Sequence, residues 1–214
     1  MPPEVESMGG AVIGEREILR NLDNVQRQQL PFATAMALTR TAMGGRESVM
    51  ASMPDQLDRP TPFTKRGIAY RRATKRNLQA AIFVRPTQEQ YLRYQVDGGT
   101  RRPSGQAIPV PTSNMRKNAY GNMPKGKVKR LLSNRQKYFS GTPRGGQGGA
   151  GIWERVGTRS RRGGQRIRML VSWESQARYA DRPFKFYETA YAAVRRNYAR
   201  NLRDAVERAL RTAR

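Results

Sequence analysis

The chain has 214 residues, with 41 Lys and Arg against 16 Asp and Glu, a formal charge of +25, and neither Cys nor His. The missing Cys excludes disulfides and thiolate metal sites. The missing His removes the side chain best suited to proton transfer near neutral pH, and the commonest metal ligand. No run approaches the roughly 20 apolar residues needed to span a bilayer, and a hydrophobic content of 37% allows only a modest core.

Met1 to Gly10 reads as a flexible, acidic tail that does not resemble a signal peptide. In Ala11–Leu30, Val12, Ile18, Leu19, Leu22 and Val25 recur at helical spacing, which predicts an amphipathic helix. Pro31 suits the first turn of a second helix, whose small and apolar face includes Phe32, Met36, Leu38 and Ala42. Gly44-Gly45 is expected to weaken it before the pattern resumes through Val49 and Met53, and Pro54 with Asp55 to end it.

Arg59 to Phe63 (RPTPF) reads as an extended, proline-fixed connector. Ile68–Arg72 and Leu78–Arg85 then form an expected antiparallel hairpin about a turn at Thr74–Asn77. Pro86 stops the second strand, and Thr87 is placed to cap a short helix carrying Tyr91, Leu92 and Val96. Asp97-Gly98-Gly99 closes that helix with a turn.

From Gly98 to Leu170 there are 17 Lys and Arg but one acid, Glu154. Thr100–Lys129 reads as loop, with Ala107–Pro111 (AIPVP) as an extended or edge segment. Val128–Lys137 suggests a short basic helix before Tyr138-Phe139. The glycine tract Gly141–Gly151 follows, and raises the entropy cost of ordering. Ile152–Val156 and Arg166–Trp173 read as strands joined by the Arg-Gly turn Thr158–Gly164. Asp181-Arg182-Pro183 opens a long helix to Arg214, with Tyr187, Tyr191, Val194, Tyr198, Leu202, Val206, Ala209 and Leu210 mostly three or four apart.

The expected fold class is α+β: a small, mostly antiparallel sheet packed against N-terminal helices and a long C-terminal helix, with long basic Gly/Pro-rich loops. Residues 11–214 are read as a single domain after the tail of residues 1–10, with an extended arm region at about 98–150.

Catalysis finds little footing. There is no acidic cluster resembling a metal site, and GxxxxGK[ST] is absent, so the glycine tract is not a P-loop. Glu154 is read as a strand residue paired with a nearby Arg. No enzyme activity, cofactor or metal is expected. The cations are the signal, since each phosphate contact releases counterions without reading bases. Candidate polyanion-facing residues are Arg101, Arg102, Arg116, Lys117, Lys125, Lys127, Lys129, Arg130, Arg159, Arg161 and Arg162. Candidate subunit or partner contacts are Gly141, Gly145, Gly146, Gly148, Gly149, Tyr191, Tyr198, Leu202 and Val206.

Several stretches in succession resemble the tail-completion or neck proteins of tailed phages, typified by the minor tail protein Z of phage lambda. They are LPFATAMALTRTA (Leu30–Ala42), RPTPFTKRGIAYRRATKRNLQAAIFV (Arg59–Val84) and YLRYQVDGGTRRP (Tyr91–Pro103). IPVP, NAYGNMPKGKVKRLL (Asn118–Leu132), YFSGTP leading to GIWERV (Tyr138–Val156), and a terminal helix ending in ALRTAR complete the series. The resemblance implies a virion protein at the head–tail junction, assembled in the bacterial cytoplasm. It would form a homo-oligomeric ring of six or twelve copies around the DNA channel. Its implied partners are portal or connector and tail proteins, and packaged double-stranded DNA held by non-specific electrostatics, with no membrane. The alternative is a non-specific nucleic-acid-binding protein of ribosomal or chromatin type.

Overall fold

A computed structural model describes residues 29–144, 148–157 and 165–212. The tail Met1–Gly10 lies outside the described residues, as does nearly all of the helix expected over Ala11–Leu30. The elements are α1 (Leu30–Gln56), α2 (Pro62–Lys65), β1 (Ile68–Arg71), β2 (Ala81–Val84), α3 (Pro86–Val96), β3 (Gly99–Arg101) and β4 (Ile108–Pro111). There follow α4 (Lys127–Ser133), β5 (Tyr138–Gly141), β6 (Gly151–Val156), β7 (Arg166–Glu174), β8 (Ala177–Tyr179) and α5 (Phe186–Thr212). The fold is α+β, with small sheets and a long C-terminal helix. The described chain forms two compact units. One takes the chain up to Met50, Ile68–Phe83 and Tyr187 onward; the other takes Ala51–Gly67 and Val84–Phe186.

In the first unit α1 and α5 meet along a seam of small residues. Ala33 and Ala37 pack against Ala205 and Ala209, with Leu202 and Val206 beside them. The Asn201 amide donates to the Thr41 hydroxyl at 2.9 Å, and that hydroxyl donates to the Ala37 carbonyl at 2.9 Å. Toward the far end of the seam, Gly44 faces Asn197, and Gly45 faces Val194 and Ile82. Partners of rising number on α1 fall in number on α5, so the helices run antiparallel. The small positions 33, 37, 41 and 45 stand four apart, which puts them on one face. The helix runs on through Gly44-Gly45, and its apolar pattern resumes with buried Val49 and Met53; a Cβ on Gly45 would meet the Ile82 side chain. α1 also continues past Pro54 to Gln56. The strands β1 and β2 form their own two-stranded sheet about the Thr74–Asn77 turn. Two bonds from the hairpin region join it to α1: Arg46 Nε donates to the Ile68 carbonyl at 3.0 Å, and the Ala73 N–H donates to the Thr39 hydroxyl at 3.2 Å.

The second unit is built on a four-stranded antiparallel sheet in the order β4-β7-β6-β5. The single sheet expected from four strands is therefore divided. The strands near Ile68 and Ala81 pair apart, while β6 and β7 gain flanking partners in β4 and β5. β4 lies at an edge, where Pro109 and Pro111 do not interrupt a central ladder. A separate antiparallel ribbon pairs β3 with β8, Gly99 opposite Tyr179. The RPTPF connector is not wholly extended: Pro62–Lys65 forms one helical turn, with the Thr61 side chain accepting from the Thr64 N–H. α3 begins at Pro86 with Arg85 at its cap position, rather than at Thr87, because a proline is already set for the first helical position.

Candidate polyanion interface

The strand β7 carries an irregularity that decides where the cations stand. Ile152 pairs with Val171, but Trp153 pairs with Met169, so Leu170 has no opposite number on β6. At this bulge Leu170 and Val171, though neighbours in sequence, are both buried. It also leaves the carbonyls of Met169 and Leu170 to be met by the chain that follows β4. The Thr112 hydroxyl donates to the Met169 carbonyl at 2.7 Å and the Thr112 N–H to the Leu170 carbonyl at 3.0 Å. Asn114 Nδ2 donates to the same Met169 carbonyl at 3.1 Å. Met115 then enters the core, and Arg116 and Lys117 emerge exposed immediately after it.

The basic stretch is fastened at further points. Met123, Val128, Leu131 and Tyr138 join Met115 over Ile152, Leu170 and Val171. Between them the Asn118 side-chain oxygen accepts from the N–H groups of Tyr120 and Asn122, closing a tight turn. Gly121 in that turn has φ +74°, and a Cβ there would lie 2.8 Å from the Arg59 guanidinium. A second left-handed glycine, Gly126 at φ +73°, starts α4. On this helix Leu131 is buried and Val128 half-buried, while Lys129 and Arg130 are exposed. Thr100–Lys129 is thus not simply loop, since β3, β4 and the start of α4 fall within it.

Residues 112–136 hold seven cations, Arg116, Lys117, Lys125, Lys127, Lys129, Arg130 and Arg135, and no carboxylate. All are exposed except half-buried Lys127. Among the described residues none of the seven has an ion-pair partner within 4.0 Å. Other cations are engaged by the protein itself. Arg155 Nη1 donates to the carbonyls of Arg135 and Gln136 at 2.9 and 3.0 Å, and its guanidinium lies over the Phe139 ring. Glu154 takes Arg168 at 2.6 Å and Lys137 at 3.2 Å, so the expected pairing of Glu154 with an Arg is present, with a Lys added. Burial would push the Glu154 carboxyl up, but the bonds from Arg168 and Lys137 outweigh it and hold the group below its usual value. The bond to Glu154 holds the Lys137 ammonium above its usual value.

The remaining site residues separate into groups. Arg101 ends β3 opposite Ala177, with exposed Arg102 next, so both belong to the two-stranded ribbon rather than to the four-stranded sheet. Arg159, Arg161, Arg162, Gly145 and Gly146 lie outside the described residues. Gly141 and Gly151 pair at the end of the β5–β6 hairpin. The Gly141 carbonyl accepts from Trp153 Nε1 at 3.1 Å, and a Cβ on Gly148 would stand 2.6 Å from the same indole. These two glycines therefore have a role inside the unit, whereas Gly149 has open space around it. Tyr191 and Tyr198 are exposed on α5, and Leu202 and Val206 are half-buried on the alanine seam. Sequence reading missed Arg135, for which the absence of acids from 112 to 136 was the available signal. It also missed the Thr112–Asn114 fastening, which depends on a bulge that no residue pattern announces.

Among the described residues no group of His, Cys, Asp or Glu could hold a metal ion, and no helix is long and apolar enough to cross a membrane. No family model matches the chain, and neither a curated protein nor a solved structure matches it.

Proposed function

We propose that this chain is a structural virion protein of the tailed-phage head–tail junction, forming a homo-oligomeric ring around the DNA channel and joining connector to tail. The observation that carries the reading is an exposed aromatic row on α5. Tyr187, Tyr191 and Tyr198 stand four and seven residues apart, hence on one face, and are 53, 65 and 36% exposed. Leu210 on the same helix is 54% exposed, and Phe32 on α1 is 44% exposed. Apolar surface on this scale suits contact with neighbouring subunits, and heterologous contacts that close give a ring. The cations of residues 112–136 complement that role. They are held on a sheet and suit phosphate contact without base reading, as a channel wall requires. No catalytic step is assigned to any residue.

The reading is tested with particles assembled with and without the protein, imaged by negative stain. Unjoined heads and tails in its absence support it; normal, infectious particles without it overturn it. The second reading, a free nucleic-acid-binding protein, is favoured by the same seven cations. It requires a protein that stays monomeric and binds DNA in solution with a steep salt dependence. A concentration-dependent oligomer seen by light scattering argues against it.

A further inference from the structure

We propose that a groove beside the basic stretch seats one unstacked base of a single-stranded nucleic acid. The inference rests on the cation reading above and goes beyond it, because phosphate contact alone leaves the bases untouched. The groove, of about 520 Å³, lies within the second unit and is lined from the chain after α1, from α2, from α3 and from the Asn118–Asn122 turn. Small-ligand sites ordinarily span about 300–1,000 Å³. Phe63, Tyr91 and Tyr120 bring rings to the lining, and Phe63 and Tyr120 are 50 and 39% exposed. Gln95 and Asn122 bring side-chain amides that no other described group engages. A base needs both: a flat apolar face to stack on, and polar partners for its edge. The Tyr91 hydroxyl lies 3.1 Å from that of Thr64, which lies 2.9 Å from that of Thr61, so the groove also carries a connected row of hydroxyls. Asp58, the one carboxylate in the lining, is covered by Arg59, which donates to it through Nε at 2.9 Å and Nη2 at 3.1 Å.

Backbone strain and charge both point to a ligand here. Arg59 has φ +45°, and among the described residues no other non-glycine has a positive φ. Such a conformation persists only where the surroundings hold it, and it clusters at binding sites. Asp58 holds the guanidinium on one side, and on the other Gly121 leaves it room, since a Cβ there would stand 2.8 Å away. The strained residue thus ties the connector to the turn that carries Tyr120 and Asn122. That turn interrupts the basic stretch: exposed Arg116 and Lys117 precede it, and exposed Lys125 follows. Rings set between cations along a chain suit a single strand, whose phosphates the cations track while its bases stack on the rings. A duplex keeps its bases stacked on one another and offers the groove nothing. Every base has a π-face, so the seat takes any of the four.

The probe is a short oligodeoxynucleotide with one central 2-aminopurine, either alone or annealed to its complement. Full-length protein is titrated into each at the same salt. The expected result is quenched 2-aminopurine emission in the single strand, and several-fold tighter binding to it than to the duplex. Tyr120→Ala and, independently, Phe63→Ala should each weaken single-strand binding about tenfold, as for one lost stacking contact. Both should leave duplex binding and its salt slope unchanged, and Tyr120→Phe, which keeps the ring, should match the parent. A selective loss in either alanine variant supports the proposal. Equal affinity of the parent for both probes, or alanine variants that lose nothing or lose equally on both, overturns it while leaving the cation reading intact. Binding to neither probe removes both. Aromatic-lined grooves also take proline-rich peptides, so decaproline is run as a competitor. Tyr120-dependent binding of decaproline without a preference for the single strand overturns the proposal in favour of a peptide seat.

Discussion

The hydroxyl of Thr112 donates to the carbonyl oxygen of Met169 at 2.7 Å, at the bulge where β7 departs from its pairing with β6. A hydroxyl on the chain leaving the edge strand thereby meets a backbone group next to the interrupted ladder. Thr112→Val keeps the shape and removes the donor. We expect a loss of about 1 kcal/mol, the usual net worth of one such bond, read as a lower urea midpoint. Trypsin should also cleave faster within 116–135, and unchanged cleavage would count against the fastening.

Glu154 supplies a pH dependence with a definite sign. Its carboxyl is held below the ordinary value of 4.5, so its contribution is present above that value and lost as pH falls through the folded value. Lys137 is held above its ordinary 10.5, so its contribution is present below that value and lost as pH rises through the folded one. We expect Glu154→Gln to lower stability by about 1–3 kcal/mol near neutrality, as for a charged hydrogen bond removed. The acid limb of a stability–pH curve should be shallower in the variant. Parallel curves for variant and parent would contradict the assignment.

Gly151 and Gly149 give a contrast within one glycine tract. A Cβ on Gly151 would press on the Val171 carbonyl oxygen across the ladder, whereas one on Gly149 meets nothing within 4 Å. Gly151→Ala should cost about 1–3 kcal/mol by overpacking, while Gly149→Ala should leave the thermal midpoint within about 1 °C, since surface changes away from such contacts are small. Equal midpoints for the two variants would show that the tract is uniformly tolerant.

Replacing Arg116, Lys117, Lys129 and Arg130 together with Gln tests the cation face. All four are exposed, so melting should be nearly unchanged. If each meets a phosphate, the slope of log K against log salt should shrink by about 3–4, at roughly 0.9 per contact. An unchanged slope in a titration with duplex DNA would remove these residues from the interface.

Helices and central strands were largely readable from the chain. The C-terminal helix, β6, β7 and the Pro31 start follow from local periodicity and from proline's fixed φ. The continuation of α1 beyond Gly44-Gly45 is legible in Val49 and Met53, but the packing at Gly45 is not, because Ile82 and Val194 are distant in sequence. Tyr138–Gly141 carries no strand signal of its own, since its ladder partners, Gly151 to Glu154, lie at and after the far end of the glycine tract. The basic stretch was legible as charge and as an edge segment near Ile108. Its attachment was not, because four spaced residues, Met115, Met123, Val128 and Leu131, carry the apolar contacts, and so sparse a pattern has no period.

The bulge on β7 has a consequence for how such a chain can change over generations. A residue deleted at Leu170 would restore regular pairing with β6 and withdraw one of the backbone oxygens that Thr112 meets. The charged cap and the sheet beneath it are therefore inherited as one trait. New cations can be exchanged freely on the cap, but an insertion or deletion in β7 shifts them all at once.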